Sequence, residues 1–66
     1  MTGKELAERR RAVGLTQKQL GLSCGYPETS AERIIQKWEY EKRRIPPKKY
    51  RILAEALKID VVELIP

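Results

Sequence analysis

Two stretches of the chain decide its fold, Gly14-Leu15-Thr16-Gln17 and Trp38-Glu39-Tyr40-Glu41-Lys42-Arg43-Arg44-Ile45-Pro46. In the first, Gly14 suits the position after a helix end, and the hydroxyl of Thr16 suits the N-cap of a new helix. The second has the composition of a helix that runs into a basic loop. The two stretches predict short helices with tight connections and a cationic loop in the second half of the chain.

The spacing of apolar residues extends this pattern to five predicted helices and no strands. The first runs from Gly3 to Val13, with Thr2 and Glu5 as a capping box. The second runs from Thr16 to about Cys24. The third is expected to begin at Thr29 or Ser30, either of which can cap it, and to end near Tyr40 or Glu41.

The last two predicted helices follow the basic loop. Pro47 suits the first turn of the fourth helix, where a missing N–H costs nothing. Asp60 is expected to cap a short fifth helix from Val61 to Ile65. Helical spacing predicts the inward faces of these helices, which are apolar except for Arg10: Leu6, Ala7, Arg10 and Val13; Leu20 and Cys24; Ala31, Ile34, Ile35 and Trp38; Tyr50, Leu53, Ala54 and Leu57.

Composition limits the classes of function. The 66 residues are enough for one domain, 1–66, and hold one cysteine and no histidine. These counts exclude a disulfide framework, leave no credible metal site and remove the commonest general base, so we expect neither catalysis nor a cofactor. No apolar run is long enough to cross a membrane, and a cytoplasmic protein is expected.

The charge is unevenly distributed. Fourteen Lys and Arg against nine Asp and Glu give a formal net charge of +5. The stretch from Lys42 to Arg51 contains no acidic residue, and Arg9-Arg10-Arg11 is a second basic cluster. Such asymmetry favours a polyanionic partner, with nucleic acid the leading candidate, although a merely solvated cationic surface is the alternative.

With these helices placed, the chain resembles the phage repressor and Cro-like (XRE-type) helix-turn-helix family of DNA-binding proteins. The resemblance covers nearly the whole chain and rests on Leu6, Arg10, Gly14-Leu15-Thr16-Gln17, Leu20, Gly25, Ile35, Trp38-Glu39, Lys42-Arg43, Pro46, Leu53, Ala54 and Leu57. It implies an all-α, compact five-helix bundle of the lambda-repressor type. It also implies a bacterial or phage transcriptional regulator, a repressor in particular, that is nucleoid-associated and binds double-stranded DNA.

The resemblance makes the third helix the recognition helix, and its predicted outward face supplies the candidate base contacts, Ser30, Glu32, Arg33, Gln36 and Lys37. Arg33 has the donors to bind guanine O6 and N7, and Gln36 has the groups to bridge adenine N6 and N7. Glu32 is expected either to accept from a cytosine N4 or to support a neighbouring cation. An ordinary polar solvent face is the alternative for all five.

Phosphate contacts are expected at the start of the second helix and around the basic loop. The candidates are Thr16, Gln17, Tyr40, Lys42, Arg43 and Arg44. The family position of Arg10 and Glu39 implies a structural ion pair between the first and third helices.

Three features depart from the family pattern. About four extra residues, which we assign to Pro27-Glu28-Thr29-Ser30, predict a longer turn before the recognition helix. Arg9 stands where the family usually has leucine, and its aliphatic stem is expected to cover part of the core edge. Gly21 replaces a usual alanine where the second and third helices cross.

The apolar C-terminal helix predicts a homodimer with two-fold symmetry. No small-molecule ligand is indicated by the sequence. Two alternatives to a sequence-specific regulator remain open: an antitoxin-type protein-interaction module of the same fold, and a basic nucleic-acid-binding protein without sequence specificity.

Overall fold

The computed structural model describes residues 1–66 and is entirely helical. It contains α1 (Gly3–Ala12), α2 (Gln17–Ser23), α3 (Glu28–Glu39) and α4 (Tyr50–Leu57), with single 3-10 turns at Pro47–Lys49 and Val61–Glu63. The five-helix count is therefore wrong, because four α-helices are present. The all-helical architecture itself is confirmed.

Local capping sets the beginnings of α1 and α2. The Thr2 hydroxyl accepts from the Glu5 N–H at 3.1 Å, and the Glu5 carboxylate accepts from the Thr2 N–H at 3.0 Å. Thr16 and Gln19 form the same reciprocal pair at 3.0 and 2.9 Å. Each box satisfies backbone donors that a helix start leaves without partners.

The first two helices end on glycines in the left-handed region. Gly14 has φ +78° and Gly25 has φ +88°, values that side chains with a Cβ rarely adopt. After α1, the Leu15 N–H returns to the Arg10 carbonyl at 3.2 Å, and after α2 the Tyr26 N–H returns to the Gly21 carbonyl at 3.1 Å. Both bonds reverse the chain sharply, and the reversal after α2 brings α3 back against α2.

The expected long turn before α3 is wrong. Only Cys24 to Pro27 separate α2 from α3, and Glu28, Thr29 and Ser30 form the first turn of α3. Pro27 occupies the N-cap position, and its carbonyl accepts from the Ser30 and Ala31 N–H groups at 3.0 and 2.9 Å. Neither hydroxyl caps the helix. Three of the four additional residues therefore lie within α3, and Pro27 is its N-cap.

The two regions after the basic loop also differ from the prediction. Pro47 begins a 3-10 turn, and the α-helix proper starts at Tyr50. The predicted fifth helix is a single 3-10 turn, Val61–Glu63, although Asp60 does cap it by accepting from the Val62 N–H at 3.0 Å. Five residues before Pro66 are too few to repay the nucleation of an α-helix, and Ile65 precedes proline, which disfavours α conformation.

The core joins all four helices and the C-terminal turn. Its buried members are Leu6, Leu20, Cys24, Ile35, Trp38, Leu53, Ala54, Leu57 and Leu64. Cys24 is fully buried, and this burial raises the pKa of its thiol, so the residue packs as a small apolar side chain. The indole Nε1 of Trp38 is buried without a hydrogen-bond partner. Trp38 thus contributes packing, including an edge-on contact with Tyr26 in which the ring centroids are 5.8 Å apart.

Two close backbone approaches require glycine. Gly21 of α2 lies against Ala31 of α3, and a Cβ on Gly21 would overlap the Ala31 carbonyl oxygen and lie 2.7 Å from its carbon. A Cβ on Gly3 would overlap the Glu39 carbonyl in the same way, with the Trp38 oxygen 2.9 Å away. These contacts fix the position of α3 against both α1 and α2.

Candidate nucleic-acid interface

The outer face of α3 is defined by the buried positions opposite it. Ala31, Ile35 and Trp38 turn inward, so successive steps of about 100° bring Thr29, Arg33 and Tyr40 to the centre of the opposite face. Arg33 and Lys37 are exposed, and 71% of the Tyr40 surface is accessible. This face begins at Thr29, one residue earlier than the sequence predicts.

The five candidate base-contact residues do not all lie on this face equally. Glu32 is exposed and Gln36 is half-buried, and both lie toward α2. Ser30 is partly buried, with its hydroxyl donating weakly to the Pro27 carbonyl at 3.5 Å. Thr29 is exposed at the centre of the face but is not among the five candidates, because its hydroxyl is also typical of an N-cap. The N-cap preference of threonine places Thr29 before the helix, whereas helical spacing places it on the outer face.

Arg10 and Glu39 connect α1 to the end of α3. The Arg10 Nε and Nη2 groups donate to the two Glu39 carboxylate oxygens at 2.7 and 3.3 Å. A third donor, Arg10 Nη1, reaches the Leu15 carbonyl at 3.0 Å. Only 10% of the Arg10 side chain and 6% of the Glu39 side chain are exposed. Because both charged groups are largely removed from water, the loss of either one would leave the other buried without a partner, which is strongly unfavourable.

A chain of hydrogen bonds extends from this ion pair to the outer surface. Gln17, the first residue of α2, donates through Nε2 to Glu39 Oε1 at 2.9 Å. The Gln36 Nε2 group donates to Gln17 Oε1 at 3.3 Å and to Glu32 Oε2 at 3.2 Å. The candidate phosphate-binding residue Gln17 and the candidate base-reading residue Gln36 are therefore held in one network.

The basic loop after α3 is open to solvent. Glu41 adopts a left-handed conformation with φ 56°, and Lys42, Arg43 and Arg44 that follow it are exposed. None of these three cations, and neither Arg33 nor Lys37, takes part in the ion pairs of the structure, which are Arg9–Glu63, Arg10–Glu39 and Lys18–Glu28. Five unpaired cations thus lie on α3 and the loop that continues from it.

Several other polar groups near this surface already have partners within the protein. Lys49 donates to the Cys24 carbonyl at 2.9 Å and lies 4.6 Å from the centre of the Tyr26 ring. Lys18 pairs with Glu28, and this hydrogen bond raises the pKa of the lysine and lowers that of the carboxyl. The Thr16 hydroxyl accepts from the Gln19 N–H, which leaves its own proton free.

Comparison with known proteins identifies the family. A family model for helix-turn-helix proteins of the Cro/C1 type matches residues 6–64. The chain belongs to the Cro/C1-type helix-turn-helix family. Comparisons with curated proteins and with solved structures gave no match. In this Cro/C1-type protein, α2 and α3 are the two helices of the helix-turn-helix, and DNA binding and transcription regulation are its class of function.

Two further features of this Cro/C1-type protein concern other classes of function. The structure contains no group of three or more Cys, Asp or Glu side chains arranged to hold a metal ion. No helix combines the length and the apolar character needed to cross a bilayer. The family is one of DNA-binding regulators that are generally not enzymes.

Proposed function

We propose that the protein is a sequence-specific regulator of transcription that represses by occupying double-stranded DNA. In this proposal α3 lies in the major groove, and α2 and the basic loop contact the phosphates on either side. The observation that supports it is the set of unpaired cations, Arg33, Lys37, Lys42, Arg43 and Arg44, on one helix and its following loop. Family membership supplies the class of ligand.

The roles divide according to geometry. Arg33 is at the centre of the outer face, where its planar donors suit guanine O6 and N7, and Lys37 is one turn further along. Gln17 uses one proton of its amide for Glu39, which leaves the second proton free for a phosphate oxygen. The exposed Tyr40 hydroxyl, Thr16 and the loop cations supply the other phosphate contacts.

Binding to duplex DNA is expected to weaken steeply with salt. If about five cations per protomer neutralise phosphates, the slope of log K against log salt concentration is about −4 to −5 per protomer. Replacing Lys42 or Arg43 with alanine is expected to weaken binding to every sequence similarly and to reduce the slope by about 1 each. Fluorescence-anisotropy titrations over a series of salt concentrations measure both quantities.

The matched control is Lys58→Gln, which removes an exposed cation at the end of α4, outside the proposed interface. Its salt slope is expected to equal that of the unaltered protein. A slope near zero for the unaltered protein, or an equal loss of slope in Lys58→Gln and Lys42→Ala, contradicts the proposed phosphate contacts.

The C-terminal segment is proposed to form a two-fold dimer interface. Leu64 is 3% exposed and anchors the turn in the core, whereas Val61, Val62 and Ile65 remain 39%, 62% and 53% exposed. Three neighbouring aliphatic side chains left in water form a small apolar patch that a second copy can cover. A domain of this size reads few base pairs, so pairing on a symmetric site increases its specificity.

We expect Val62→Glu to convert a dimer into a monomer. A charge placed in an apolar interface loses its hydration, and two symmetric copies would also repel each other. Sedimentation equilibrium over micromolar concentrations gives the mass of both proteins, with Leu22→Glu, an exposed apolar position on α2, as control. A strictly monomeric protein that also binds DNA without cooperativity contradicts the dimer.

A further inference from the structure

The orientation of both amides in the network is fixed by the carboxylates at its two ends. A carboxylate only accepts hydrogen bonds, so the Gln17 group facing Glu39 is Nε2, at 2.9 Å. The same reasoning makes the Gln36 group that faces Glu32, at 3.2 Å, its Nε2. The remaining contact then joins Gln36 Nε2 to Gln17 Oε1 at 3.3 Å, and every bond has one donor and one acceptor.

This arrangement uses the whole donor capacity of Gln36. An amide nitrogen has two protons, and those of Gln36 are directed at Gln17 Oε1 and Glu32 Oε2. Gln36 Oε1 and Glu32 Oε1 make no hydrogen bond within the protein. These two residues, one turn apart on the edge of α3 next to α2, therefore offer only acceptors to a ligand.

From this pair we infer a specificity subsite for cytosine, an inference that rests on the proposed placement of α3 in the major groove. Cytosine presents the N4 amino donor there with no acceptor beside it on the same base. Guanine presents only N7 and O6 acceptors, thymine presents O4, and adenine sets its N7 acceptor beside the N6 donor. Each of these base oxygens and nitrogens repels the acceptor oxygens of Glu32 and Gln36. Cytosine is the one base that presents a donor and no acceptor at this edge.

Glu32 accordingly determines which base Gln36 reads. Gln36 by itself has the donor and the acceptor needed to bridge adenine N7 and N6. The Glu32 carboxylate accepts the Gln36 Nε2 proton that would otherwise bind adenine N7. Removing the Glu32 carboxylate frees this proton, whereas the bond to Gln17 continues to hold the Gln36 side chain in place.

Selection of bound duplexes from a random pool tests the inference in four proteins: the unaltered chain, Gln36→Ala, Glu32→Ala and Glu28→Ala. Gln36→Ala identifies the position in the motif that Gln36 reads. At this position we expect cytosine for the unaltered protein and adenine for Glu32→Ala. The ratio of affinities for the two bases is expected to change by about five- to hundredfold, the range of a good base contact.

Glu28→Ala is the matched control, because it removes one acidic charge from α3 without touching the network. We expect it to keep cytosine at the position and to change binding to all sequences alike. Three results would overturn the inference and leave the proposed function intact. The position prefers a base other than cytosine in the unaltered protein, it still prefers cytosine in Glu32→Ala, or no position in the motif responds to Gln36→Ala. A pool from which no protein selects any motif overturns both.

Discussion

Replacing Glu39 with alanine is expected to lower the free energy of unfolding by about 3–5 kcal/mol, because Arg10 would remain buried without its partner. The Glu39 carboxylate accepts three hydrogen bonds, two from Arg10 and one from Gln17. A domain of this length has a total stability of about 3–10 kcal/mol, so the loss is a large fraction of it. Urea denaturation followed by circular dichroism measures the change.

A double-mutant cycle separates the ion pair from general disruption. We expect Arg10→Ala and Glu39→Ala together to cost much less than the sum of the single losses, since the double variant leaves no unpaired buried charge. Glu39→Gln keeps the shape of the side chain and gives a folded variant if Glu39→Ala does not fold. Additive losses would show that Arg10 and Glu39 do not interact.

The surface pair Arg9–Glu63 is the matched control. Its side chains are 49% and 36% exposed, and Glu63→Ala is expected to cost only about 0–1 kcal/mol. Arg9 pairs at the surface, although the family usually has leucine at this position. A larger loss for the buried pair than for the surface pair would show that burial decides the cost of removing a charge.

Replacing Gly21 with alanine, the usual family residue at this position, is expected to destabilise the protein by about 1–3 kcal/mol. Helix propensity alone would favour alanine by about 1 kcal/mol. The new methyl group, however, would overlap the Ala31 carbonyl oxygen, which belongs to backbone and cannot rotate away. We expect α3 to shift away from α2, and therefore weaker DNA binding as well as a lower denaturation midpoint.

Two variants make this expectation specific. Ser23→Ala, at an exposed position on the same helix, is expected to change stability by less than about 0.5 kcal/mol. Ala31→Gly combined with Gly21→Ala removes the Cβ contact but not the carbonyl contact, so it is not expected to restore stability. A Gly21→Ala protein as stable as the unaltered chain would show that the two helices separate at little cost.

Features that depend on neighbouring residues were predictable from sequence. The capping box at Thr2, the N-cap at Thr16 and the glycine at the end of α1 each involve residues a few positions apart, so a short pattern contains all the information. The buried positions Leu20, Cys24 and Ile35 followed from helical spacing in the same way.

Features that depend on competing local signals or on tertiary contacts were not predictable from sequence. Thr29 and Ser30 are good N-caps, but α3 begins before them, where Glu28 gains a favourable position in the first turn and a bond to Lys18. Gln17 and Gln36 are far apart in sequence, and no periodicity relates them. The locked orientation of Gln36, on which the cytosine inference depends, becomes visible only when α2 and α3 are packed together.

The central claim is that α3 reads DNA sequence, and selection of bound duplexes from a random pool by the unaltered protein tests it most directly. The predicted result is one shared motif with two-fold symmetry, its half-sites about 10 base pairs and about 34 Å apart. Arg33→Ala is expected to lose the preference at one position in each half-site, at a cost of about 1–3 kcal/mol. Recovered duplexes with no shared sequence would contradict the claim and indicate a basic protein that coats DNA without specificity.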